Sequence, residues 1–248
     1  MWRQLMKYDP NSLIGRTLRL PLHLIPKTAT LPIVTGPARG LQWRVGSGQY
    51  GYWFGTTEDD KRMLFNKMIS NGTVVYDIGA NVGYYTILAA HKIGNKGRVV
   101  AFEPVPENVR RLGYNVSVNG FGNVDVYDCA LSDRSGVGWF ALTAHPNTGR
   151  LATAGDLQVP VFALDEIVRD KALPPPDVMK IDVEGAEAAV LAGASETISL
   201  HHPATFVAVH SATLKEQCIT FMMQFGYEVS EVANHADELL FVHPDLTT

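Results

Sequence analysis

Asp77, Gly79, Asn81 and Gly83 fall within one stretch, VVYDIGANVGYYT (residues 74–86), which begins like a strand and ends like a helix. Glycine at such a junction lets a ligand come close to the backbone. The spacing is D-x-G-x-x-x-G, not G-x-G-x-x-G, and no Gly-Lys-Ser/Thr follows to make a phosphate loop. A carboxylate beside the turn disfavours a pyrophosphate and suits a ligand with a cationic group. Glu103 ends the next apolar run, 26 residues after Asp77, where an acid can take both hydroxyls of a ribose. A third run ends at Asp128, Cys129 and Ala130, where a carboxylate can accept from an adenine amino group. Ammonium, ribose and adenine in that order describe S-adenosylmethionine. The expected cofactor set is therefore Asp77, Gly79, Ala80, Asn81, Gly83, Glu103, Asp128 and Ala130. A glycine turn alone is also plain punctuation between strand and helix; the ordered acids are what argue for a ligand.

A second loaded junction is MKIDVEGAE (residues 179–187). Asp182 and Glu184 share one side of an extended chain, as do Lys180 and Asp182. A buried Lys–Asp pair is the structural alternative to a reactive carboxylate. Glu187 falls in a first helical turn, where the helix dipole alone would favour it. His210 ends the run FVAVH and reaches the same cleft if that run is the neighbouring strand. Methyl transfer from such a cofactor needs alignment of acceptor atom, methyl and sulfur, and a base where the acceptor carries a proton. Asp182 is the expected base, His210 the alternative, and Glu184 the group that orients the acceptor. The same three side chains suit Mg²⁺ or Mn²⁺, but a divalent metal is not the favoured reading. Tyr50, Tyr52, Trp53 and Phe54 form an aromatic cluster that either packs in the core or stacks on a sugar.

Positioning these groups requires parallel strands whose carboxyl ends meet. Apolar runs at 74–78, 98–103, 124–130, 178–183, 204–210, 227–232 and 238–243 alternate with helical patterns at about 83–93, 106–119, 186–199 and 213–224. That alternation predicts a mostly parallel α/β sheet with helices on both faces and an antiparallel hairpin at one edge. Residues 131–162 read as a meandering insert. Upstream, LPIVTGPARGLQWRVG reads as two short strands around a Gly-Pro turn, and TTEDDKRMLFNKMISNG as a capped helix. The expected division is an N-terminal extension over 1–56 and a catalytic domain over 57–248.

The chain of 248 residues is 46% apolar and 19% charged, enough to bury a sizeable core. Two cysteines are too few for a disulfide framework, which with the absence of a long apolar run predicts a cytoplasmic protein without a transmembrane segment. The opening residues lack the apolar core of a signal peptide. Residues 1–44 carry seven Lys or Arg against one acid, leaving 14 bases and 24 acids for the remainder. So acidic a body is a poor match for nucleic acid. The basic segment is expected to pack on that body near Tyr50 to Phe54 or on a second copy in a homodimer, with an anionic ligand as the sharper alternative.

DIGANVGYYTILAA, GRVVAFEPVPENVRRLGYNVSVNG, CALSD and KIDVEGAEAAVLAGA, in this order and spacing, resemble the FkbM family of class I methyltransferases. The likeness extends over about residues 32–243 and leaves the basic first 30 residues outside. It implies a Rossmann-like seven-stranded sheet with an antiparallel final hairpin, and methyl transfer to a hydroxyl of a sugar, glycan or polyketide. By the same resemblance Asp77, Gly79, Asn81, Gly83 and Glu103 map to cofactor binding, and Asp182 and Glu184 to the face where acceptor meets methyl group. Asp128 and Cys129 depart from the family's small or amide residue. An NAD(P)-dependent oxidoreductase would share the sheet but lacks its G-x-G-x-x-G here. An N-methyltransferase would carry an N/D-P-P-Y type motif where this chain has IDVEG.

Overall fold

The computed structural model describes residues 24–55, 59–142, 149–233 and 235–247. Strands β1 (Thr30–Pro32) and β2 (Gln42–Arg44) pair antiparallel and lead to helices α1 (Tyr50–Phe54) and α2 (Asp59–Met68). Asp59 and Asp60 open α2 and Lys67 lies in its last turn, charges that complement its dipole. Strand and helix then alternate through β3 (Val74–Ile78), α3 (Tyr84–Ile93), β4 (Arg98–Phe102), α4 (Pro106–Val118) and β5 (Val124–Tyr127). Pro106 occupies the start of α4, where a missing N–H costs no helical hydrogen bond.

After β5 the chain leaves this sheet. The segment expected to meander forms β6 (Ala130–Ser132), β7 (Gly136–Leu142), β8 (Gly149–Ala152) and β9 (Leu157–Ala163), a separate four-stranded sheet in the order β6-β9-β7-β8. Alternating burial along β9 turns Val159 and Val161 inward, where they join Phe140, Val105 and Ala130 in a small core of their own.

The chain returns through α5 (Leu164–Asp170), β10 (Val178–Ile181), α6 (Glu187–Ala192), α7 (Ser195–His201), β11 (Ala204–Ala208) and α8 (Ala212–Met223). It ends with β12 (Glu228–Val232), β13 (His235–Val242) and a short 3₁₀ turn at Pro244–Thr247. The single helix expected over 186–199 is broken in two. A β-carbon at Gly193 would overlap the Ser132 carbonyl, and Asp165 accepts from the N–H groups of Glu196 and Thr197 to start α7 afresh.

The main sheet has the order β12-β13-β11-β10-β3-β4-β5, parallel from β11 to β5, with β13 antiparallel between β11 and β12. The expected terminal hairpin is there, with β12 on the edge. Alternation within β3 sends Val75 to one apolar layer and Tyr76 and Ile78 to the other. Ile33, Trp43, Trp53 and Phe54 belong to the same layer as Val75 and Ile87. The described part of the expected extension therefore shares its core with the main sheet, and residues 1–23 of the basic segment lie outside the described residues.

Candidate active site

The strand order reverses between β3 and β10, because β4 and β5 continue to one side and β11 and β13 to the other. A crevice opens at the carboxyl ends of strands at such a point. Here it is a cavity of about 590 Å³, whose walls include the turn after β3, Glu103 after β4, Asp182 to Glu184 after β10 and His210 after β11. Tyr52 from α1 closes one side, and Phe140, Gly149 and Leu151 of the inserted sheet close another. Of the aromatic cluster, Trp53 and Phe54 are core residues while Tyr52 reaches the cavity.

The turn after β3 is tightly specified. Gly79 has a φ of +74°, and a β-carbon there would overlap the carbonyl oxygen of Asp182. Its amides are all committed within the protein: Gly79 and Ala80 donate to the Phe102 carbonyl, Asn81 to Glu103 Oε2, Val82 to the Asn81 side chain, and Gly83 to the Ala80 carbonyl. Asn81 is itself held at a φ of 51°, strain that the Glu103 bond helps maintain. Glu103 Oε1 accepts in addition from the Val105 amide at 2.9 Å and from Asn108 Nδ2 at 3.0 Å. Burial raises the Glu103 carboxyl above its ordinary value, against the lowering effect of these donors and of Lys180.

Two residues expected to touch the cofactor stand elsewhere. Asp77 is wholly buried beneath the turn and is not part of the cavity wall. Its oxygens accept from Thr86 Oγ1 at 2.6 Å and Lys180 Nζ at 3.2 Å, so its carboxylate is partnered inside the protein, off the cavity wall. Asp128 faces solvent. Tyr127 stacks on Phe102, and the chain turns Cys129, Ala130 and Leu131 toward the cavity instead. Gly83 lies just off the wall against Leu112, whereas Gly79, Ala80, Asn81, Glu103 and Ala130 line it.

The opposite half of the cavity is ionic. Lys180 stands beside Asp77 in the β10–β3 register and also donates to the Gly79 carbonyl at 3.3 Å, tying the two strand ends together. Asp182 Oδ2 is 3.8 Å from both Lys180 Nζ and Lys61 Nζ, and Oδ1 is 3.9 Å from His210 Nε2. Lys61, buried on α2, also pairs with Glu238 of β13. The ammonium groups of Lys61 and Lys180 stand 5.6 and 5.2 Å from the Tyr85 ring centroid, within reach of its π face. Burial would raise the Asp182 carboxyl, but Lys180, Lys61 and His210 outweigh it and hold the group below the usual range. His210 Nδ1 bonds to Glu187 Oε1 at 2.6 Å, and Nε2 lies 3.3 Å from Glu184 Oε2. The Glu187 bond, opposed by burial but aided by the charges of Glu187, Glu184 and Asp182, raises His210 to about 9. At neutral pH the pair is thus a carboxylate and an imidazolium. Glu184 carries a φ of 56° in the turn that aims it here, a second strained non-glycine residue at the cavity.

Asp182, Glu184 and His210 are thereby brought together as expected. Lys61, Glu238 and Tyr85 were not anticipated, and Glu187 was read only as a dipole complement. The i+3 spacing of Glu184 and Glu187 was the one local hint for the latter. Nothing local marks Lys61 as buried, because its partners lie far away in sequence.

The geometry can be set beside known proteins. Hexuronic acid methyltransferase AglP from Haloferax volcanii is 32% identical to this chain, across 57% of this chain and 58% of that protein. The 31-O-demethyl-FK506 methyltransferase FkbM from Streptomyces tacrolimicus is 29% identical, across 50% of this chain and 60% of its own length. The chain thus spans under two thirds of the curated relatives it matches. A crystal structure of a methyltransferase FkbM from Methylobacillus flagellatus KT superposes with a TM-score of 0.55 at 18% identity, covering 78% of this chain and 53% of that one. That likeness concerns the fold, a class I methyltransferase sheet. A sequence model of the methyltransferase FkbM domain matches residues 77–240, from the glycine turn through the terminal hairpin, and the chain belongs to that family.

Proposed function

We propose that the protein is an S-adenosylmethionine-dependent O-methyltransferase whose acceptor is a hydroxyl of a sugar, glycan or polyketide-type product. The observation that carries this reading is the state of the glycine turn. Every backbone N–H from Gly79 to Gly83 already has an acceptor within the protein, so the turn offers no amides to a pyrophosphate. A dinucleotide, the ligand of the oxidoreductase alternative, would need them. A cofactor without phosphate does not. The cavity volume suits a nucleoside bearing an amino-acid tail. Glu103, buried yet on the wall, supplies a carboxylate for ribose hydroxyls, and Val105, Ala130 and Leu131 supply apolar surface for a base. The relatives' printed names refer to a hexuronic acid and to 31-O-demethyl-FK506, which favours an oxygenated acceptor here.

S-adenosylmethionine, when bound, supplies a methyl carbon activated by its sulfonium. Asp182, ionised at neutral pH, accepts the acceptor's hydroxyl proton as the oxygen attacks. Lys180 and Lys61 keep that carboxylate charged between turnovers. Glu184 accepts a second hydroxyl and orients the acceptor, while the His210–Glu187 pair fixes the imidazole beside Asp182. The inserted sheet and Tyr52 wall the cavity, and shielding the reacting atoms from water is the role given to them here. Titrating the protein in a calorimeter with S-adenosylmethionine, S-adenosylhomocysteine, NAD and NADP tests the cofactor class. Incubation with hydroxylated acceptors, read as S-adenosylhomocysteine formed, then tests the reaction. Binding of a dinucleotide and not of S-adenosylmethionine would overturn the reading.

A further inference from the structure

At the end of the sheet opposite the cavity, three side chains with metal-binding atoms meet. His202 caps α7 just ahead of β11, and antiparallel β13 carries His243 and Asp245 back to that same end. The Nδ1 atoms of His202 and His243 lie 3.4 and 3.3 Å from one oxygen, Asp245 Oδ2, and one donor atom from each residue lies within 4.8 Å of the others. The length of β11, on the order of 20 Å, separates them from His210 and the cavity.

The surroundings hold this cluster as a site. The Asp245 N–H donates to His243 Nδ1 at 3.3 Å, which leaves that nitrogen an acceptor facing a carboxylate oxygen. A cation held by the two imidazoles and the carboxylate would displace this long amide contact. A β-carbon at Gly226 (φ +82°) would stand 3.1 Å from His243 Nε2, so the glycine gives that edge of the ring its space and Nδ1 is turned the other way. Tyr227 packs edge-on to both imidazoles at 5.4 and 6.4 Å, and its hydroxyl donates to the Pro203 carbonyl, fixing the back wall. Asp245, 71% exposed, stands on the solvent side, which gives an ion its entry.

We propose that His202, His243 and Asp245 bind a divalent ion of the Zn²⁺ or Ni²⁺ class, completed by water, which staples the end of β13 to the start of β11. Two imidazoles and a carboxylate select such ions over Mg²⁺ or Ca²⁺. Bonds of about 2.0–2.2 Å place tetrahedral ligand atoms about 3.4 Å apart, the spacing each imidazole nitrogen has to the Asp245 oxygen. The imidazole planes are 13° from parallel with centroids 3.7 Å apart, so their in-plane lone pairs run side by side. Binding therefore opens the stack about the side-chain torsions until both lone pairs meet the ion.

The test is titration of the chelator-treated full chain with Zn²⁺ in a calorimeter, repeated with Co²⁺ by visible absorption. One ion per chain is expected, with a Tm rise of at least about 2 °C on loading. Asp245→Asn, at an exposed position where folding is not at stake, and His243→Gln should each weaken binding by about 10-fold or more and abolish the Tm rise. No binding below about 100 μM Zn²⁺, or binding that survives both substitutions, would overturn the proposal. Loss of the ion only in Asp182→Asn would assign it to the reaction cavity and would equally overturn it.

Discussion

Glu103 and Asp182 are both acids at strand ends, yet their surroundings give them opposite characters. Glu103 is raised by burial and tethered by three donors, which suits a fixed hydrogen-bond acceptor. Asp182 is held low by two lysines and an imidazolium, which suits a carboxylate that stays ionised. Glu103→Ala should therefore weaken cofactor binding by about 1–3 kcal/mol. Calorimetric titration with S-adenosylhomocysteine measures this, and unchanged affinity would remove Glu103 from the site. Asp182→Asn should lower turnover with cofactor affinity nearly intact, because a base acts on the acceptor proton in the transition state. The pH profile separates the two candidate bases. With Asp182 as base, kcat is flat from pH 6 to 9, since the carboxylate is ionised throughout. With His210 as base, kcat would climb about tenfold per pH unit until about pH 9, where the imidazolium loses its proton. A climbing profile would transfer the role to His210.

At the scale of elements, a few contacts decide how the strand ends meet. Gly79 lets the turn after β3 lie directly against the backbone after β10. Gly79→Ala combines a left-handed backbone with a clash that no side-chain rotation relieves, and should cost at least about 3 kcal/mol in urea denaturation. Gly113, exposed within α4 with open space where a β-carbon would go, is the control. Gly113→Ala should stabilise by about 0.5–1 kcal/mol. Lys61 docks α2 on β13 through Glu238 while facing Asp182. Lys61→Met should lower Tm, with a cost of about 1–3 kcal/mol for leaving two part-buried carboxylates short of a cation. It should also move the acid limb of the rate profile upward, because Asp182 loses one of the charges holding it down. A Lys61→Met protein with wild-type Tm and an unmoved acid limb would show that the helix is held by apolar packing alone.

Over the whole molecule, the cavity's ionic half links folding to pH. His210 rises from 6.5 to about 9 in the folded chain. Its contribution is complete below pH 6.5 and disappears as pH climbs through 9. Asp182 works in the other direction, contributing above its ordinary value of 3.8 and losing that contribution as pH falls toward its lowered folded value. Thermal melts should show Tm declining between pH 6.5 and 9.5, and His210→Gln should flatten the decline. An equal decline in both proteins would show that other groups set it.

The alternation of apolar runs with amphipathic helices, the terminal hairpin and the strand-end acids were legible from the residues alone, because periodicity and strand-end position are local properties. The meeting of Asp182, Glu184 and His210 was legible too, since parallel neighbours in a sheet bring their carboxyl ends to one edge. Tertiary structure decided which acids face the ligand space. Asp77 lies inside β3 opposite Ala101, whereas Glu103 follows the last residue of β4, and a lysine 103 residues away in sequence claims the first. Lys61 and Glu238 are 177 residues apart and find each other only once α2 lies across β13. The inserted sheet and the break at Gly193 likewise depend on strand pairing and close backbone approach between distant segments. Buried ion pairs and backbone contacts are set by what lies opposite in space, and no spacing along the chain records that.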